Sequence, residues 1–499
     1  MLTIPERVLH GAVPHLDIAW LYGPGAAWVP AAVYKVFGVH LLTGRFVGLT
    51  YQVAVILSLF ALGLRWSAVT AVAGAFAAIL VIVPEGLTPL PWNGALALAL
   101  WALVLGASAI DGGRAAPKAA VGSGLLVGFA LLFRPDFAIG AGAMLAVLYW
   151  RSNAVLRRRV ALGLAAGLAP FVVHIVVAGP SAVWRGLVID PLQLRGGNYL
   201  PVPPRPSHID GFLQQFVGNG PPWPFPKPTP AAQLTLWFFL LLLAVALPLA
   251  VGVTRVMRTQ LVRPRVLLAC GGLIAGLLPT VLQRDDALHL SYVGSVAFAC
   301  AVFAGAELTR SGVSRPRVQI ARDLVTGVVT PLVIIASTPS WTAGAYLNET
   351  LISAGVRSTH SFRLTHQHRE YYLASVLRSQ VESLLRVADA TSHPGDRLFV
   401  GPRDLRRTPY NDSFLYYLLP DLVPATRFLY MNPSVALDNQ RRLARDVASA
   451  DVVILSEQWS SWREPNDSRR FGSGLANRVV QNEFCPIVRR GPFTLLRRC

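Results

Sequence analysis

Charge is scarce in this sequence. Asp, Glu, Lys and Arg make up 14% of its 499 residues, against 53% hydrophobic residues and a mean hydropathy of +0.47. Soluble domains carry about 25% charge, so a water-soluble chain is excluded and a polytopic membrane protein is implied. Cysteine is nearly absent, with four residues, which rules out a disulfide-built scaffold. Cys270 and Cys300 fall in apolar runs and read as core residues. Cys485 and Cys499 lie in and just after two strand-like runs, 484–488 and 493–496, joined by a Gly491-Pro turn. An oxidising compartment would allow a disulfide there, and two free thiols are the alternative. No phosphate-binding glycine loop is present, since Gly401-Pro-Arg is not one. The start also lacks the pattern of a secretory signal.

Long apolar runs take the place of what is missing. Ten approach the ~20 residues needed to cross ~30 Å of hydrocarbon: 44–63, 68–84, 93–110, 119–133, 137–150, 159–178, 233–254, 265–282, 290–308 and 321–337. The fourth and fifth are short and separated only by Arg134-Pro-Asp136, so two spans, a re-entrant pair or one broken helix all fit. Basic residues near span ends stay in the cytoplasm, and fifteen of them cluster in alternate loops, at Arg65, 114–118, 151–159, 255–265 and 310–322. The short loops between, 85–92, 134–136 and 283–289, carry only Arg134 and Arg284, which places residues 1–43, the loop 179–232 and everything after 338 outside. The net charge of +19 is thus spent on topology and on anionic lipid head groups, and nucleic acid is not an expected partner.

The outward segments hold the chemistry. Residues 1–43 contain interfacial, amphipathic pieces such as 26–37 and one stretch, Gly11-Ala-Val-Pro-His-Leu-Asp17, whose carboxylate stands in an apolar and aromatic setting. Asp17 is the first catalytic candidate, with Tyr22 and Arg45 beside it in the same loop. Glu85, the single charge of the turn 84–93, reads as a solvated loop carboxylate. Arg134 and Asp136 either neutralise one another and cap the next helix, or meet a phosphate and hold the site. Gln283-Arg-Asp-Asp-Ala-Leu-His289 is the densest ionisable cluster near the bilayer. Asp285, Asp286 and His289 leave a divalent-cation site open, Gln283, Arg284, Asp286 and His289 a substrate contact, and a plain solvated turn is the remaining option. A lone His174 lies in mid-span, where a neighbouring helix normally satisfies it.

The loop 179–232 is rich in Pro, Gly and aromatics, with a short amphipathic helix expected over 209–216. After the last span the composition turns polar. A helix is expected over 371–388, buried strands over 396–400 and 451–455, and a helix over 440–448 between them. Residues 341–499 therefore read as a soluble α/β domain outside the membrane, and 44–340 as the transmembrane region.

The outward Gly-x-Val-Pro-x-x-Asp…Tyr-Gly-Pro loop ending in Gly44-Arg45, the Phe-Arg-Pro-Asp turn, the Gln-Arg-Asp-x-x-x-His turn and the α/β tail together resemble the GT-C superfamily. These are integral-membrane glycosyltransferases, and the chain looks most like bacterial members related to protein O-mannosyltransferases and aminoarabinose transferases. The resemblance implies a bacterial plasma-membrane enzyme of about ten spans with an extracytoplasmic α/β domain. It would move a sugar, with inversion, from a polyprenyl-phosphate donor to a glycan, lipid or protein acceptor. A loop carboxylate would act as base, and Arg or a cation would stabilise the phosphate that leaves. Members of the superfamily also carry an acidic residue at the end of a span preceding this loop. The chain starts at Met1-Leu-Thr-Ile-Pro-Glu6, just after that point, and Asp17 matches the second acidic position of the loop. An upstream span is therefore expected, or a natural start other than Met1. The alternative function is a non-catalytic scaffold or a carrier of lipid-linked envelope precursors.

Overall fold

The structure, a computed structural model, describes residues 2–197, 202–204, 230–259, 261–283, 286–310, 327–329, 332, 340–359, 361–432, 434–461 and 470–499. Two short helices open the chain, α1 (Thr3–Leu9) and α2 (Gly25–Phe37), followed by α3 (Leu41–Gly63), α4 (Ala68–Ile82), α5 (Pro91–Asp111), α6 (Ala116–Phe133), α7 (Ala138–Tyr149) and α8 (Ala154–Ala178). Three more long apolar helices, Pro230–Arg258, Val262–Gln283 and Ala287–Thr309, complete the bundle. Among the described residues eight helices are long and apolar enough to cross a membrane, and Pro135–Tyr149 is a shorter apolar one. The chain is a multi-pass helical membrane protein. Nine of the ten expected spans thus have a helix, and the tenth, 321–337, lies almost wholly outside the described residues.

Small residues set the helix contacts. Gly124 and Gly128 on α6 face Gly163 and Gly167 on α8, two runs of small-x-x-x-small spacing. A Cβ at Gly124 would stand 2.0 Å from the Val160 carbonyl oxygen, and one at Gly163 2.0 Å from that of Val121. Packing that close is how spans associate when lipid supplies no hydrophobic drive. Arg134 is extended, with φ −141° and ψ 94°, so α6 stops there and α7 starts afresh after a short 3-10 turn, Pro135–Phe137. The ambiguity at 134–136 resolves into two helices, with α7 seated on Val262–Gln283 through Gly140 and Gly276.

The C-terminal region carries a five-stranded mixed sheet of β3 (Arg397–Pro402), β4 (Val423–Pro424), β5 (Val452–Ser456), β6 (Phe484–Arg490) and β7 (Phe493–Arg498), in the order β4-β3-β5-β7-β6. The helices Ser375–Thr391, Gln440–Ala448 and Leu475–Glu483 accompany it, and Cys485 is bonded to Cys499. One expectation shifts. Residues 371–373 belong not to the helix that follows but to a hairpin of β1 (Phe362–His366) and β2 (Arg369–Leu373). Its turn places Gln367 and His368 at positive φ, so it lacks the Gly or Asn that normally signals such a turn. The helix 209–216 lies outside the described residues; the part of its loop that is described is helical from Pro180 to Gly197.

The C-terminal region docks on the N-terminal segment. Arg369 bonds to Glu6 through two N–H groups, Arg427 donates to the His15 carbonyl at 2.7 Å, and the Ala19 N–H donates to the Arg427 carbonyl at 2.9 Å. His15 is fully buried, with Nδ1 2.9 Å from His174 Nε2, so the mid-span histidine is satisfied by the first loop rather than by a neighbouring helix. Burial, then His174 and Arg427, pushes the His15 pKa from 6.5 down to about 4, so the folded state takes up fewer protons than the unfolded chain between those values. Stability should therefore fall as the pH drops from 6.5 toward 4, by about 2 kcal/mol between pH 7 and pH 5. Melting of the detergent-solubilised protein at both pH values should show this, and His15→Asn, which tolerates the residue's φ of 69°, should flatten the profile. An unchanged slope in that variant would count against the assignment.

Candidate active site

The site assembles where the loop 11–24, the turn 83–90, the break at 134–136 and the start of Ala287–Thr309 meet. At its centre is Arg134. Its Nε donates to Asp136 Oδ1 at 2.8 Å, Nη2 reaches Oδ2, and Thr280 Oγ1 donates to Oδ2 at 3.1 Å. The guanidinium lies over two rings, 5.1 Å from Tyr22 and 5.0 Å from Trp92. Such stacking suits the planar, weakly hydrated Arg cation and leaves its edge for hydrogen bonds. Trp92, only 1% exposed, stacks on Tyr292 at 5.2 Å and meets Phe137 edge-on at 4.8 Å. The chain is drawn into this arrangement by Gly23, whose N–H donates to the Phe133 carbonyl at 2.9 Å and where a Cβ would lie 2.1 Å from the Leu132 oxygen.

Asp286 and His289 form the far wall. Asp286, 2% exposed, caps its helix by accepting the Leu288 and His289 N–H groups, and its Oδ1 is 2.8 Å from His289 Nδ1. His289 meets Tyr292 edge-on at 5.4 Å. Among the described residues no group of three or more His, Cys, Asp or Glu is placed to hold a metal. Arg284, Asp285 and the Gln283 side chain lie outside the described residues.

Glu85 departs from its expectation. It is half-buried, accepts from Asn93 Nδ2 at 2.9 Å through Oε2, and lies within electrostatic reach of Tyr292 together with Tyr22, Asp286 and Arg134. Its Oε1 is closed off from solvent without a partner, as are Trp92 Nε1, Asn93 Oδ1 and Tyr51 Oη. A buried polar atom left unpaired costs about 1–3 kcal/mol, and of these four Trp92 carries the Arg134 guanidinium on its ring. The sequence signal was available, since Glu85 is the one carboxylate of its turn, but Tyr292, on which it acts, lies some two hundred residues on. Trp92, Asn93, Thr280 and Tyr292 carried no signal as site residues.

The structure brings Tyr22, Arg134, Asp136, Asp286 and His289 together and leaves two candidates apart. Asp17 is exposed, and its Oδ2 accepts the Val13 N–H at 2.8 Å, which closes its own loop. Arg45 lies over the ring of Tyr372, on the hairpin of β1 and β2, at 5.5 Å.

No family model and no curated protein matches the sequence. The chain shares its fold, apolar helices with a C-terminal sheet region, with a solved structure. Among solved structures, the chain is similar to ArnT from Cupriavidus metallidurans bound to undecaprenyl phosphate. The two share 14% identity at a TM-score of 0.52 over 99% of this chain and 92% of that one. Against the same protein in the apo state the identity is 13% and the TM-score 0.46, with the same coverage.

Proposed function

We propose that the protein is a membrane glycosyltransferase that takes a sugar from a polyprenyl-phosphate donor and moves it, with inversion, to an acceptor hydroxyl on the extracytoplasmic face of a bacterial plasma membrane. The observation that carries this reading is Arg134 held over the rings of Tyr22 and Trp92, with Trp92 Nε1 and an oxygen of Glu85, which like Arg134 acts on Tyr292, buried without a partner. The fold supports it, since a solved protein of that fold is described with bound undecaprenyl phosphate. The bond between Cys485 and Cys499 favours an oxidising compartment for the C-terminal region.

In the reaction the acceptor oxygen forms a bond to the anomeric carbon while the carbon–oxygen bond to phosphate breaks. The electron pair leaves with polyprenyl phosphate. Arg134, held flat by Tyr22 and Trp92 and backed by Asp136, stabilises that charge through the N–H groups Asp136 does not take. A carboxylate takes the acceptor proton. Glu85 has its free oxygen inside the cluster and is the favoured base; Asp17 at the loop surface is the second candidate. Asp286 orients His289 on the far wall.

Native mass spectrometry of the detergent-purified chain tests the donor half of this reading. Undecaprenyl phosphate should form a one-to-one adduct that Arg134→Gln reduces at least tenfold at unchanged protein yield. Release of undecaprenyl phosphate from undecaprenyl-phosphate-linked hexoses or pentoses, in the presence of a membrane extract as acceptor, tests the other half. No adduct in the wild type would sink the proposal. An adduct without turnover for any sugar would replace it with a carrier of lipid-linked precursors.

A further inference from the structure

A cleft of about 410 Å³ lies in the C-terminal region at the carboxyl ends of β3 and β5. Among its lining residues, Arg403 directly follows β3, Leu455 belongs to β5, and Arg489 and Thr494 come from the hairpin of β6 and β7. Three observations point to what it takes.

The first is topology. β3 has β4 on one side and β5 on the other, both parallel to it. The chain visits β4 first and then returns past β3 to β5, and the two connections run over opposite faces of the sheet. Leu415 and Tyr417, between β3 and β4, pack in one core with Val400, while Leu443 and Val447, between β4 and β5, pack in another with Phe399. The loops that leave β3 and β5 therefore part from one another. Such a switch point, outside the carboxyl ends of parallel strands, is where open α/β sheets bind ligands.

The second is charge. Glu457, the first residue after β5, accepts from Arg403 Nη1 through Oε1, and from Arg489 Nη2 at 3.0 and 3.1 Å. One carboxylate thus faces two guanidiniums, and among the described residues neither bonds to a second one. Asp404 is not available to them. It accepts from Arg406 Nε at 3.0 Å and Nη2 at 2.7 Å and from Asn477 Nδ2 at 2.7 Å. Those bonds, the Arg406 ones above all, hold its carboxyl below the usual carboxylate range. One positive charge is left over. Arg403 uses Nη1 alone and Arg489 Nη2 alone, so each keeps Nε and one Nη for a further anion. Their side chains are 61% and 58% exposed, which lets an anion reach them from water.

The third is the lining. Leu455, Val480 and Leu496 bring part of the apolar core to the cleft, and Ser460, Thr494 and Gln481 add polar side chains. Apolar surface with a few charged and polar groups suits a ligand with an organic body and one anionic end.

We propose that this cleft is a binding site for a small phosphate ester, with its phosphate on Arg403 and Arg489 and its organic part on Leu455, Val480 and Leu496. None of these residues belongs to the cluster around Arg134, so the site stands whether or not the protein is a transferase. Soluble esters and lipid head groups share this chemistry, and the test separates them.

Isothermal titration calorimetry on the full chain, purified in an uncharged detergent, would use phenyl phosphate, phenylacetate, inorganic phosphate and soluble dibutyryl phosphatidylglycerol as probes. Phenyl phosphate should bind roughly tenfold tighter than phenylacetate, which offers fewer oxygens and less charge, and than inorganic phosphate, which lacks the ring. Arg403→Gln combined with Arg489→Gln should weaken it roughly tenfold or more. The melting temperature should not change, since Glu457 is 30% exposed and stays hydrated. Glu457→Gln should tighten binding, because it removes the competing carboxylate; an ion cluster that only ties loops together would not respond so. Arg134→Gln should leave phenyl phosphate binding as in the wild type. Dibutyryl phosphatidylglycerol binding tighter than phenyl phosphate, with the same dependence on the two arginines, would support the phosphate site and give it to a lipid head group. Equal binding of phenyl phosphate and phenylacetate, affinity that survives the double substitution, or no tightening in Glu457→Gln would overturn the proposal. Binding lost in Arg134→Gln would overturn it as well and return the phosphate to the helix bundle.

Discussion

Glu85→Gln should lower sugar transfer at least a hundredfold in kcat, with KM for the donor nearly unchanged. A positioned general base contributes about 10²- to 10⁴-fold, and the amide keeps the shape of the carboxylate while removing its basicity. The variant should fold normally. Its amide oxygen can still accept from Asn93, whose Nδ2 lies 2.9 Å from Glu85 Oε2, and an uncharged amide of the same shape replaces a half-buried carboxyl group with an unpaired oxygen. A melting temperature equal to or above that of the wild type is therefore expected beside the loss of turnover. Asp17→Asn should cost less than tenfold, because Asn Oδ1 can accept the Val13 N–H as Asp17 Oδ2 does at 2.8 Å. The reverse ranking would make Asp17 the base and Glu85 a structural carboxylate. Near-wild-type transfer in both would remove carboxylate base catalysis by either residue from the mechanism. The pH profile separates base loss from misplacement: the acid limb of kcat should vanish in Glu85→Gln and persist in Asp17→Asn.

The fold was legible wherever physics is local. Apolar length alone located the helices, since hydrocarbon thickness fixes how long each must be. Pro135 with its flanking charges announced the break that the extended Arg134 makes. The buried strands β3 and β5 and the helix Gln440–Ala448 also followed from short-range patterning. The hairpin of β1 and β2 did not, because Gln367 and His368 take a left-handed turn without the residues that normally accept one. The site was legible as ingredients and not as an assembly. Arg134, Asp136, Asp286 and His289 stood out because ionisable groups at a membrane edge need partners. That Arg134 would lie over Tyr22 and Trp92 depends on contacts between segments dozens of residues apart, and that Glu85 would turn inward to Asn93, eight residues on, depends on how its turn folds back on the next helix. Asp17 drew notice for the apolarity of its neighbours in sequence, yet in space it faces outward and closes its own loop.

Arg369→Ala should be the most damaging single change to stability. Glu6 is 7% exposed, and Arg369 holds both of its oxygens, with Nη1 2.9 Å from Oε2. The same guanidinium donates to the Tyr417 carbonyl at 2.9 Å and lies 4.9 Å from the centre of the Tyr417 ring. Truncation leaves a buried carboxylate with no counter-charge, which costs about 3–5 kcal/mol. The bonds that break join α1 to β2, so undocking of the C-terminal region from the first loop should come before unfolding of the helix bundle. Hydrogen exchange should show it as lost protection in residues 3–9 and 369–373, with the spans unaffected. Glu6→Leu combined with Arg369→Met should recover most of the loss, because an apolar pair of similar volume removes the stranded charge. A single variant within about 0.5 kcal/mol of the wild type would show that water already reaches Glu6. A double variant no better than the single one would place the loss in packing on Tyr417 rather than in charge.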